Sequence, residues 1–126
     1  MLKDKSSSAI LGVKDVDRAR KFYVETLGLT LAEEGMDDVR VFNTGTSSLV
    51  VYRSDEAGTN RANAVVWSCG EEIDAIVDAL KDKGVKFEHY PESEDFTREG
   101  DVHVSGSMKM VWFKDPDGNI LHLNNY

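Results

Sequence analysis

The chain carries one pattern of elements twice, and this repetition constrains its fold more than any other feature. In the first half, SSAILGV alternates like a strand. KDVDRARKFYVETLG then places Val16, Ala19, Tyr23 and Leu27 at helical spacing. Asp15 stands where an N-cap is expected, and Gly28 where a chain leaves a helix through a left-handed conformation. Strand-like runs LTLAEE, VRVFN and SSLVVYR follow, broken by GMDD and TGT. In the second half NAVVWSC is the opening strand. EEIDAIVDALKDKG is the helix, with Ile73, Ile76, Val77 and Leu80 on one stripe, acids at its start and lysines at its end to match the helix dipole. VKFEHY, MKMVWFK and NILHLNN complete the set. The helix exits LGLTL and KGVKF share the order glycine, apolar, polar, apolar. Two copies offset by about 55 residues are too few and too far apart for a solenoid, so the pattern reads as an internal duplication.

Each half is strand–helix–strand–strand–strand, which makes the chain α+β with mostly antiparallel pairing. We expect one domain over residues 1–126, with a first module over about 1–55, a connecting SDEAGTNR segment over about 54–61, and a second module over about 62–126. Hydrophobic residues at 40% and charged residues at 30% suit a globular chain that buries a real core. The net charge of −8 argues against a nucleic-acid partner, whose phosphates demand clustered Lys and Arg. No apolar run approaches a membrane span, and Met1 is not followed by a charged-then-apolar leader, so a cytoplasmic location without membrane association is expected. The single Cys69 forms no internal disulfide and continues the buried parity of Val65 and Trp67. PESEDFTREGD reads as a solvated loop, and Tyr23 as a packing residue whose hydroxyl reaches the surface.

The segment WFKDPDGNILHLNNY reads as a hairpin, with Pro116 presetting a tight turn and Gly118 taking the positive φ that ends it. On the outgoing strand Leu121 and Leu123 point one way, and Ile120, His122 and Asn124 the other. A four-residue DPDG closure puts Phe113 and Val111 on the face of His122.

LGVKDVDRARKFYVETLGL near the start and WFKDPDGNILHL at the end, with the duplication between them, resemble the vicinal oxygen chelate superfamily of glyoxalase I, bleomycin-resistance proteins and extradiol dioxygenases. The resemblance covers essentially the whole chain. It implies two βαβββ modules whose curled sheets form a U-shaped cleft, a divalent metal held by the first and last strands of each module, and association as a homodimer. Strand parity places Ser8, Ile10 and Gly12 on the cleft face of the first strand, where metal-binding relatives commonly have His at the Ser8 position. The other three ligand positions fall at Leu49 or Val50, at Ala64 with Val66 and Ser68 on the same face, and at His122. Ala, Leu and Val offer no donor atom, whereas a catalytic divalent site needs about three protein donors. The expectation is therefore no metal and no other cofactor. His122 would be a ligand if any residue is, and His89 or His103 the residues able to rebuild a site.

The inferred ligand face comprises Ser8, Ile10, Val50, Val66, Ser68, Phe113, Ile120, His122 and Asn124. It is a mostly apolar wall with a few polar groups, suited to a small organic molecule and not to phosphate. Three roles stay open for His122: a structural residue bonded to Ser8 or Asn124, a polar contact to a ligand, or a metal-free general acid or base. Arg98 and Lys109 are the nearest cations for an anionic ligand group. The functional expectation is a metal-independent protein that binds a small apolar or aromatic compound. The alternatives are a metal-dependent lyase, isomerase or ring-cleaving dioxygenase with a nonstandard site using His122, and a non-catalytic module that presents its cleft to another protein.

Overall fold

Asp15 turns the first strand into a helix. Its Oδ1 accepts the backbone N–H groups of Asp17 at 2.9 Å and Arg18 at 3.1 Å, satisfying two donors that a helix start leaves without partners. In the computed structural model, which describes residues 1–33 and 37–126, strand β1 (Ala9–Val13) precedes this cap and helix α1 (Val16–Lys21) follows it. The helix widens into a π-helical stretch over Phe22–Thr26, where the Leu27 N–H reaches back to the Phe22 carbonyl. Gly28 then leaves the helix at φ 77°, as the sequence predicts.

Strands β2 (Thr30–Glu33), β3 (Val39–Thr44) and β4 (Ser47–Arg53) complete the first sheet in the order β1-β4-β3-β2. β1 runs parallel to β4, and the other pairs are antiparallel. Part of the expected GMDD break, Gly35 and Met36, lies outside the described residues, as does Glu34 of LTLAEE. Alternation buries Leu11, Val13, Phe42, Leu49 and Val51 together with Val16 and Ala19 of α1. Each of these side chains larger than alanine contributes about 1.5–3 kcal/mol by leaving water. Tyr23 is wholly buried, with its ring stacked 5.7 Å from that of Phe42. Its hydroxyl therefore does not reach the surface as expected, because the π-helical stretch directs the whole side chain into the core.

The second sheet repeats the order. Strand β5 (Asn63–Ser68) leads through a 3-10 turn at Gly70–Glu72 into α2 (Ile73–Asp82), followed by β6 (Thr97–Glu99), β7 (Val102–Ser105), β8 (Met108–Lys114) and β9 (Ile120–Asn124). The order is β5-β9-β8-β7-β6, so β5–α2–β7–β8–β9 is a second βαβββ module with β6 added at the edge. Its core joins Ile73, Val77 and Leu80 of α2 with Val111, Phe113, Leu121 and Leu123.

Two expectations for this module are corrected. VKFEHY is not a regular strand: it touches β8 through the single bridge Phe87↔Phe113 and through the Glu88 N–H on the Trp112 carbonyl. Lower on β8, residues 108–110 pair with β7, which leaves only a short length of strand for 87–88. Pro91 follows closely and brings no N–H to extend the ladder. The third strand of this module is instead β7, in the DVHVSG stretch, and β6 lies inside the acidic segment read as a loop. The chain divides into two compact units, Met1–Thr59 and Asn60–Tyr126. Among the described residues no helix is long and apolar enough to cross a membrane.

Candidate functional site

The hairpin between β8 and β9 decides which side chains accompany His122. Five residues, Asp115 to Asn119, separate the paired residues Lys114 and Ile120. Asp115 organises them. Its Oδ1 accepts the N–H groups of Asp117 and Asn119 at 2.9 Å each, and its Oδ2 accepts Asn119 Nδ2 at 2.9 Å. The backbone closes from Asp115 N to Asn119 O, and Gly118 sits at φ 93°. One residue more than a DPDG closure shifts β8 by one place and so exchanges its faces. Phe113 is therefore corrected from ligand face to core: it pairs with Leu121, is fully buried, and meets the Phe87 ring at 5.7 Å. Val111 moves with it. Trp112 and Met110 take their places, opposite His122 and Asn124.

On this second face β5 aligns Val66 with His122 and Ser68 with Asn124. A bulge between Asn63 and Val65 makes Ala64 the unpaired residue and sets Asn63 opposite Ile120, so Ala64 is not the matching first-strand position. Val66 is 56% exposed in the middle of its strand, and Ser68 is also exposed. Asn124 is buried, and its Oδ1 accepts the Tyr126 N–H at 3.2 Å.

His122 is half-buried. Its Nδ1 lies 3.0 Å from the Val111 carbonyl, its partner in place of the expected Ser8 or Asn124. A carbonyl only accepts, so Nδ1 carries the hydrogen and the neutral ring presents a bare Nε2. The ring stacks on Trp112 at 4.6 Å with 21° between the planes. Burial pushes its pKa down, and the bond to Val111 opposes this only in part.

Trp112 links His122 to an aromatic cluster that the sequence reading missed. The His103 ring stands edge-on to Trp112 at 5.0 Å, Tyr90 meets Trp112 at 5.1 Å, and Phe96 meets His103 at 5.3 Å. His103 is fully buried and its Nε2 accepts the Tyr90 N–H at 2.9 Å. Desolvation lowers its pKa, and an Nε2 that accepts an N–H carries no hydrogen, so the ring is neutral. The one available signal was the five-residue closure, which turns Trp112 towards His122 and lets β7 bring His103 alongside.

The other named residues make their polar contacts outside this cluster, although Arg98 pairs with His103 across β6 and β7. His89 Nε2 is 2.6 Å from Asp101 Oδ1, whose other oxygen meets Lys81 Nζ at 2.9 Å. Lys81 first, then His89, holds the Asp101 carboxyl below its ordinary range. Lys109 pairs with Asp74 at 2.6 Å, and Arg98 donates to the Gly100 carbonyl at 2.8 Å. Cys69 is half-buried, with its thiol pKa raised by burial and then by Glu72.

In the first module β1 and β4 align Ile10 with Val50, while Leu49 is buried on the core side. Ile10 is 63% exposed in mid-strand. The Ser8 and Ser48 hydroxyls share a hydrogen bond of 2.5 Å. Val41 pairs with Val50, so one row of this face reads Ile10, Val50, Val41.

The profile of the Glyoxalase/Bleomycin resistance protein/Dioxygenase superfamily matches residues 6–123. The chain belongs to that superfamily. Solved structures share the fold at low identity. TnmS3, an antibiotic binding protein from Streptomyces sp. CB03234, superposes with a TM-score of 0.68 at 23% identity, over 98% of this chain and 97% of that one. The fosfomycin resistance protein FosX from Listeria monocytogenes, complexed with Mn(II) and sulfate, gives 0.71 at 18% identity, over 98% and 90%. A glyoxalase/bleomycin resistance protein/dioxygenase from Alicyclobacillus acidocaldarius gives 0.70 at 21%, over 98% and 93%.

The superfamily resemblance implies a divalent metal, and the donor set of this chain does not fit one. Val50 and Val66 have no donor atom, the Ser8 hydroxyl is a poor ligand already bonded to Ser48, and His122 alone offers an imidazole nitrogen. Neither histidine named as a replacement repairs the set: His103 is buried with Nε2 occupied, and His89 is held by Asp101. Among the described residues no three His, Cys, Asp or Glu side chains are placed to hold an ion.

Proposed function

We propose that this protein is a metal-independent binder of a small apolar or aromatic molecule, held on the second face of the module-two sheet. The observation that carries the reading is Val66 bare in mid-strand beside His122, whose ring is fixed by Trp112 and the Val111 carbonyl. An exposed aliphatic side chain flanked by a fixed aromatic pair and a single polar atom matches what small-molecule sites use: apolar area for affinity and a few polar groups for orientation. The antibiotic-binding relative supports a binding role. The proposal extends to a homodimer, which sedimentation equilibrium checks.

The test is a thermal-shift and calorimetric screen with neutral bicyclic aromatics, 2-methoxynaphthalene first, run beside metal analysis of protein purified without chelators. Saturable binding that is lost in Val66→Asp, with less than one equivalent of Mn, Fe, Ni or Zn, supports the proposal. Full occupancy by a tightly held divalent ion, or no binding by any aromatic probe, overturns it.

A further inference from the structure

We infer that His122 Nε2 is a hydrogen-bond acceptor that selects ligands carrying a donor, a phenolic or enolic O–H or a ring N–H, on a planar aromatic frame. The inference rests on the proposed ligand face and adds the chemistry it discriminates. Three features of the ring converge on it. The Val111 carbonyl removes the tautomeric choice, because Nδ1 must hold the hydrogen in order to make the 3.0 Å contact. The stack on Trp112 at 4.6 Å covers one face of the imidazole and restrains its plane. No described residue hydrogen-bonds Nε2, and that nitrogen is absent from the buried polar atoms without partners, so it remains accessible to an outside molecule.

The other two histidines are spent elsewhere. His103 is buried beneath Tyr90 and Phe96 with its Nε2 on the Tyr90 amide, and His89 stands at an exposed position against Asp101. His122 alone combines a fixed tautomer, an accessible nitrogen and an exposed aliphatic neighbour in Val66.

A fixed acceptor in a half-desolvated setting discriminates in one direction. A ligand O–H placed there replaces the water it gives up, whereas a methyl ether of the same shape strips water from Nε2 and returns nothing. A net neutral hydrogen bond of the usual strength corresponds to about fivefold to tenfold in affinity.

The experiment compares 2-naphthol with 2-methoxynaphthalene by calorimetry on the full chain and on His122→Phe. Phenylalanine keeps a ring against Trp112 and drops the acceptor. The wild type should bind the naphthol about fivefold to tenfold tighter, and His122→Phe should bind both alike, at the affinity of the ether. In the wild type, ¹⁵N spectra should show a change in His122 Nε2 on saturation with 2-naphthol that the ether does not produce; this readout holds even if the variant fails to fold. Equal wild-type affinities, a preference that persists in His122→Phe, or an unmoved Nε2 resonance overturns the inference while leaving the ligand face intact. Binding of neither probe removes both.

Discussion

The two modules share the order of four strands, and a row of side chains on the second face sets them apart. Across the first sheet the row on the second face reads Ile10, Val50, Val41; across the second it reads Val66, His122, Trp112. The buried faces are alike in kind, with Leu11, Leu49, Val51 and Phe42 in one and Leu121, Leu123, Val111 and Phe113 in the other. The packing is thus common to both modules, and the second face is where they differ. Only the row in the second module holds an imidazole and an indole: one ring presents the nitrogen and the other holds it in place.

The comparison breaks first if the two cores are not equivalent. Phe42→Ala and Phe113→Ala each remove a fully buried ring, and each should cost about 3–5 kcal/mol in denaturant unfolding, with no selective loss of ligand. A mild effect at Phe113 together with lost binding would return it to the ligand face and refute the five-residue closure. Next, Trp112→Ala should weaken 2-naphthol binding at least tenfold, on the order of 1.4 kcal/mol, while Val41→Ala in the first module leaves it unchanged. Calorimetry on the two variants decides whether the copies really differ.

Two histidines whose pKa burial lowers make the second module respond to acid. His103 and His122 both titrate below the ordinary histidine value, so the folded state binds fewer protons than the unfolded chain in that range. Their effect on stability is absent above about pH 6.5. Stability then falls as pH drops from there through the folded values, and levels off below them. Denaturant titrations across this window should show the slope shrink in His103→Phe/His122→Phe. An unchanged slope would place the acid sensitivity elsewhere. The smallest effects belong to the bare aliphatics. Ile10→Ser and Val66→Ser should each alter stability by no more than about 0.5 kcal/mol, yet only Val66→Ser should weaken the ligand.

Much of the fold was legible because its signals are local. The Asp15 cap, the buried stripe Val16–Ala19–Tyr23 and the positive φ of Gly28 follow from neighbouring residues, and the structure contains all three. VKFEHY alternates like a strand, but the β8 edge it would need is largely taken by β7, which no local pattern reveals. At the site, Val66 and His122 share a row as parity predicts, but Phe113 does not join them. Its error came from one residue in a turn, since side chains alternate with period two and a single extra residue inverts a whole strand.

By itself the sequence determined the duplication, the α+β architecture and the absence of donor side chains at Val50 and Val66, because periodicity, capping and composition reside in the residues themselves. The tertiary structure alone decided that Trp112 stands against His122, that His103 is covered by Tyr90 and Phe96, and that the Val111 carbonyl selects the His122 tautomer. These depend on strand register and on contacts between residues distant in sequence, which exist only once the sheet has closed.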